Sequence, residues 1–171
     1  MSEQQHDPER IEAQVRAHLD ALEADYDVVQ IDPAFANTTD FCARYGYPPE
    51  TSGNCILVAS KTGERKHVAC VVPATMQADV NRVVRKRMGV RKASFAPADE
   101  TVALTGMLPD GVTPFGLPDH VPVYVAEELL AHDRVIVGGG SRRCKIEVDP
   151  EVFRRMPAAE VVPGLARRPP S

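Results

Sequence analysis

Between Gly106 and Pro118 three glycines (Gly106, Gly111, Gly116) alternate with three prolines (Pro109, Pro114, Pro118), inside the stretch TGMLPDGVTPFGLPDHVPVYV from Thr105 to Val125. Proline holds φ near about -65° and glycine admits positive φ, so such a run has a defined shape and cannot continue a helix or an inner strand. Few bulky side chains cover its N–H groups, which suits a loop that meets a ligand with its main chain. The same composition equally fits a tight crossover into the apolar strand Val121–Val125.

Around this loop the pattern alternates between helix and strand. Ile11, Val15, Leu19 and Leu22 recur on one face of a helix over residues 9–24, with Asp7 as cap and Pro8 at its first position. His18 lies near that apolar face and reads as a packed histidine. Val28–Ile31 reads as a strand, and Thr38-Thr39-Asp40 as the cap of a short helix. Asn54–Ser60 and Val68–Val72 read as a hairpin about Lys61-Thr62-Gly63-Glu64. Asp79–Met88 reads as a helix with Met76, Val80, Val83, Val84 and Met88 inward, and a further helix runs from Pro97 to Leu104. Then come strands over Val121–Val125, Val135–Val137 and Cys144–Val148, a helical turn at Glu127–Ala131, and a short helix after Asp149-Pro150.

Strands joined by short turns, with helices in no regular βαβ order, predict one α/β (α+β) domain with an antiparallel or mixed sheet. The expected domain covers residues 1–165, with a disordered tail over 166–171. No apolar run approaches the roughly 20 residues of a membrane helix, and the opening MSEQQHDPER is too polar for a secretory signal. The cysteines Cys42, Cys55, Cys70 and Cys144 form no CxxC pair, and the histidines show no ligand spacing. Neither a metal nor a cofactor is therefore expected, and the setting is read as reducing and cytoplasmic.

Charge is unevenly placed. The net charge is -4, yet residues 51–100 carry nine bases and four acids, while residues 1–50 carry eleven acids and three bases. Arg82, Arg85 and Lys86 would leave their helix on the side away from its apolar stripe. That face either meets the phosphates of a nucleic acid or is simply solvated. No aromatic residue interleaves with these bases in sequence, so no stacking platform for single strands is expected. Gly138-Gly139-Gly140-Ser141 follows a strand and leads into another, as a small anion nest or a tight connection. No GxSxG, Walker A or GxGxxG motif is present.

The succession NCILVASK, HVACVVPATMQADVNRVVR, ASFAPADETVALTGMLPDGVTPFGLP, VPVYVAEELL and RVIVGGGSRRCKIEVDPEVF, from Asn54 to Phe153, resembles the YbaK/EbsC family. These are free-standing relatives of the editing domain of bacterial prolyl-tRNA synthetases. The resemblance implies a curved mixed sheet flanked by helices, and a cleft in which the ester of a mischarged tRNA is hydrolysed. Its GxxxP loop aligns the glycine with Asp110 and the proline with Pro114. Its lysine at the start of the first buried strand aligns with Asn54. Lys61 lies seven residues further on, at the far end of that strand, and Lys145 could approach from another strand.

An aminoacyl ester is activated, so its hydrolysis needs positioning and oxyanion stabilisation more than a strong nucleophile. The resemblance makes Asn54, Gly111, Pro114, Phe115 and Gly116 the catalytic set, with backbone donors from Gly111, Phe115 and Gly116 and, further, from Gly139 and Gly140. Gly138, Gly139, Gly140, Ser141 and Lys145 are expected to bind substrate, and Arg82, Arg85 and Lys86 to bind tRNA. The expected activity is a trans-acting aminoacyl-tRNA deacylase. The alternative is a non-catalytic module of the same fold that binds tRNA ends, and a weaker third reading is a protein-interaction domain.

Overall fold

Asp7 opens the first helix: its carboxylate accepts the Glu9 N–H at 3.1 Å, and Pro8 fills the first helical position, where no N–H is needed. The structure is a computed structural model describing residues 7–169. It runs α1 (Pro8–Ala21), β1 (Tyr26–Gln30), α2 (Thr38–Tyr45), β2 (Gly53–Ser60), β3 (His67–Pro73), β4 (Gln77–Ala78), α3 (Arg85–Met88), β5 (Ala93–Phe95), α4 (Ala98–Thr105), β6 (Val123–Ala126), β7 (Val135–Gly138), β8 (Cys144–Val148), α5 (Val152–Arg155), β9 (Ala159–Val162) and β10 (Ala166–Arg167). The N-terminal residues 1–6 and the last two residues of the expected tail, 170–171, lie outside the described residues.

The hairpin of β2 and β3 forms as expected, antiparallel from Gly53↔Pro73 to Ala59↔His67. It centres a five-stranded mixed sheet in the order β5-β2-β3-β6-β9, in which β3–β6 and β6–β9 are parallel. A three-stranded antiparallel sheet, β1-β8-β7, joins it through one parallel bridge, Ser52↔Ile136. Between the two sheets lies the main core, which holds Leu57, Val71, Val123, Val125, Val137, Ile146 and Val148. Ile11, Val15 and Leu19 of α1 complete it, each buried side chain contributing about 1.5–3 kcal/mol. The other face of the large sheet packs Val58, Val68, Cys70 and Val72 against Val80 and Val84.

Three local expectations are corrected. The helix expected over Asp79–Met88 begins as a π turn, Val80–Val84: Asp79 C=O accepts from both Val83 and Val84, and Arg85 N–H reaches back to Val80 C=O. The cap of α2 is Asn37, whose Oδ1 accepts the Thr39 and Asp40 N–H groups, so Thr38 is already helical. The tail expected to be disordered from residue 166 starts as β10, where Ala166 and Arg167 pair with Ala78 and Gln77. Burial of Leu165 and Ala166 in the second core anchors it.

Candidate active site

One edge of β2 is only partly paired. Strand β5 reaches Val58–Ser60, and the bridge to β7 begins at Ser52, which leaves an opening between them. Leu57 C=O accepts the Ala96 N–H at 2.9 Å on that side, so the alternation of an antiparallel strand turns the N–H and C=O of Cys55 to the same open edge. A cavity of about 290 Å³ lies here, lined by Asn54, Cys55, Ile56, Asp110, Val112, Gly138, Lys145 and the first turn of α2.

The structure brings Asn54, Gly138 and Lys145 to this one cavity. Thr38 Oγ1 donates to Asn54 Oδ1 at 2.6 Å, which fixes the amide and leaves its NH2 group as a donor. Lys145 is 5% exposed; its Nζ donates to Ala36 C=O at 2.9 Å and lies over the Phe41 ring. Burial lowers its pKa, and the nearby Asp110 carboxylate acts in the opposite direction. Burial also pushes the Cys55 thiol up, so it stays protonated and is no ready nucleophile.

The glycine-rich segments build the wall. Gly140 N–H donates to Gly111 C=O at 2.6 Å, and Leu108 N–H to Gly140 C=O at 3.0 Å, so loop 108–112 lies flat on segment 138–141. A Cβ on Gly138 would stand 2.5 Å from Val112 O, and one on Gly111 would strike the Ser141 carbonyl. Asp110 takes φ 63°, the left-handed region that favours glycine. Arg142 holds it there, donating to Asp110 Oδ2 at 2.9 Å and to the carbonyls of Pro109 and Pro33.

Several expected contacts are corrected. The N–H groups of Gly111 and Gly140 are spent inside the stacked loops, on Leu108 C=O and Gly111 C=O. Gly116 N–H donates to His18 Nδ1 at 2.6 Å, so it is no oxyanion donor either. Phe115 is fully buried and stacks on Phe153 with ring centres 5.8 Å apart; Pro114 lines a separate cleft beside His18. The second half of the loop, Pro114–Gly116, thus anchors against α1 and the core and does not line the cavity. Ser141 is also structural: its hydroxyl donates to Glu12 Oε2 at 2.6 Å. Gly139 C=O accepts the Cys144 thiol, and neither Gly139 nor Gly140 lines the cavity. Arg82, Arg85 and Lys86 sit on the helix behind the large sheet, with Arg82 at another cleft.

Sequence reasoning missed Glu12. It is buried on α1, accepts from Ser141 and Arg143, and clamps the glycine turn to the helix. Burial works to raise its pKa, but the Arg143 and Ser141 hydrogen bonds outweigh it and hold the carboxylate below its usual range. An acid on the inner face of a helix, at a position equivalent to Ile11 and Val15, was the available signal.

The fold and site define an α/β domain with a polar cleft served by one buried cation, one fixed amide and a glycine-built wall. Residues 32–156 match the aminoacyl-tRNA editing domain, and the chain belongs to that family. Over 98 residues it is 31% identical to an Enterococcus faecalis (strain ATCC 700802 / V583) protein named "Putative Cys-tRNA(Pro)/Cys-tRNA(Cys) deacylase EbsC". That match spans 57% of this chain and 57% of the relative, little more than half of its length. Among solved structures, a hypothetical protein superposes with a TM-score of 0.80 at 23% identity, covering 90% of this chain and 99% of the other. A protein described as "a putative trans-editing enzyme for prolyl tRNA synthetase" gives 0.75 at 19% identity, covering 92% and 96%. At these identities the superpositions show the fold alone. Among the described residues no helix is long and apolar enough to cross a membrane, and no three His, Cys, Asp or Glu side chains cluster as metal ligands.

Proposed function

We propose that the chain hydrolyses the ester of a mischarged tRNA in trans. The observation that carries this reading is the convergence of Lys145 and Asn54 on the cavity at the open edge of β2. The family lysine is absent from position 54, and Lys145 brings a cation to the same cavity from β8. Water adds to the ester carbonyl carbon, the bond from that carbon to the ribose oxygen breaks, the ribose oxygen takes up one of the water's protons, and the other passes to solvent. The amino acid leaves as a carboxylate. Lys145 Nζ keeps two N–H donors beyond the one given to Ala36, and Asn54 offers its NH2 group, both suited to the developing oxyanion.

Cys55, Ile56 and Val112 give the cavity an apolar side, and about 290 Å³ suits a small side chain better than a large one. The name of the Enterococcus relative supports cysteine as one candidate. The test is hydrolysis of radiolabelled Ala-, Cys- and Ser-tRNA by purified protein. Release of one amino acid at catalytic enzyme supports the reading, and intact substrate across the panel at high enzyme excess rejects it.

Asparagine in place of the family lysine favours a second reading, a non-catalytic module that holds aminoacyl-tRNA ends. Under it, Asn54→Ala changes binding and there is no turnover to lose.

A further inference from the structure

The cleft beside Phe95 is the strongest unassigned feature of the molecule. Phe95 is 50% exposed, the one large hydrophobic side chain left in solvent among the described residues. It lines a cleft of about 380 Å³ together with Arg82, Arg167, Asn81, Gln77 and Asp79. Asp79 Oδ1 is engaged by the Arg82 backbone N–H, and no acid pairs with the Arg82 or Arg167 guanidinium among the described residues. An exposed aromatic side chain sharing one cleft with two arginines that no acid pairs, and with amides, is the chemistry that holds an unstacked base and its phosphates. A π turn forms the wall, a local geometry that favours functional positions.

The register ties this cleft to the cavity. Phe95 is the antiparallel partner of Val58, so the two side chains share one face of the sheet. Val58, Ile56 and Asn54 alternate along that same face of β2. Asn54 and Val58 are four residues apart, about 13 Å at about 3.3 Å per residue. Ile56, between them, is half-buried and lines the cavity. The path is short enough for a single-stranded segment with its terminal ester at Asn54 to lay an upstream base on Phe95.

We propose that the Phe95, Arg82 and Arg167 cleft is a stacking and phosphate site for the single-stranded 3′ end of the RNA substrate. The inference rests on the deacylase reading for its substrate, and it departs from the expectation that the basic run has no stacking platform for single strands. In sequence Phe95 lies thirteen residues from Arg82; strand β5 brings it alongside.

Two substrates and one ligand test it. Phe95→Ala is compared with the natural protein on a mischarged tRNA and on an aminoacyl-adenosine that ends at the terminal nucleoside. The ratio of kcat/KM for tRNA to that for aminoacyl-adenosine falls roughly tenfold, the scale of one lost base stack, and Phe95→Trp restores it. Arg82→Ala and Arg167→Ala each flatten the salt dependence of KM for tRNA alone. Equal ratios for Phe95→Ala and the natural protein overturn the proposal. A short oligoribonucleotide ending in CCA, carrying no amino acid, is titrated in parallel by fluorescence anisotropy. If neither ester is hydrolysed, the deacylase reading fails, and the titration still decides the cleft: weaker binding by Phe95→Ala keeps it, and unchanged binding removes it.

Discussion

The ammonium nitrogen of Lys145 stands 5.2 Å from the centre of the Phe41 ring, inside the protein. Together with the Ala36 carbonyl, the ring face replaces part of the hydration that burial removes. Lys145→Met keeps the volume and deletes the charge. Deacylation is expected to fall about 10²-fold or more, the scale of a lost oxyanion donor, while stability holds or rises, because a buried cation is costly. Single-turnover hydrolysis and thermal melting of the same variant read both effects, and unchanged hydrolysis would remove Lys145 from the site.

The same burial sets a pH dependence with two opposite signs. Burial lowers the Lys145 pKa, so activity that needs the ammonium is lost as pH rises through that lowered value. In the same window the unfolded chain still holds its proton, so folding stability rises with pH. Asp110 favours the charged form, and Asp110→Asn is expected to move the alkaline fall in activity to lower pH. A pH–rate profile and urea unfolding, measured from neutral to alkaline pH, would show the two limbs crossing.

Asn54→Ala removes the amide and its hydrogen bond from Thr38. The expected cost is roughly 1 kcal/mol of stability, against a ten- to hundredfold loss of deacylation. A loss of activity matched by an equal loss of folded protein would make Asn54 structural.

At Gly138 the two glycine segments approach each other closely. A methyl group there would meet Val112 O at 2.5 Å, so Gly138→Ala must push the loop away from the cavity wall. About 1–3 kcal/mol of stability is expected to be lost, with most of the activity. Gly63→Ala has open space around its Cβ and only its φ of +71° to strain, so it should cost about 1–2 kcal/mol and leave hydrolysis intact. Denaturant titration and activity of the pair test the close approach.

Acid should weaken the fold in two stages. Gly116 N–H donates to His18 Nδ1, which only the neutral ring can accept, and burial lowers the His18 pKa although Asp119 opposes this. The unfolded chain therefore takes the proton first, and stability drops as pH falls below about 6.5 toward the lower folded value. Glu12 and Glu100 are held below the usual carboxylate range, Glu100 at about 2 by hydrogen bonds from Arg65 and His67. Their contribution is present above the ordinary carboxylate pKa and is lost as pH falls through the folded values. Urea unfolding between pH 8 and 3 should lose its upper step in His18→Phe and part of its lower step in Glu100→Gln. A flat profile between pH 7 and 5 in the natural protein would contradict the His18 anchor.

The local elements were legible because their signals are local. Asp7-Pro8 caps α1, the apolar stripe of Ile11, Val15 and Leu19 faces the core, and the run from Asn54 to Ser60 is an inner strand. The order of segments from Asn54 to Phe153 was enough to point to the editing-domain family. What the order of residues could not carry was which groups already have partners. Gly111, Gly116 and Gly140 look like free backbone donors in sequence; the Gly111 N–H is taken by Leu108 in a local turn, and those of Gly116 and Gly140 by His18 and Gly111, residues that only folding brings near. Lys145 reaches the cavity because β8 pairs with β7, which bridges to Ser52, just ahead of β2, through Ile136. Phe95 joins Arg82 because β5 closes half of an edge. Periodicity and capping are written within a few neighbouring residues and fix the elements, whereas hydrogen-bond partners and cavity walls come from pairings across a hundred positions and exist only once the sheets have closed.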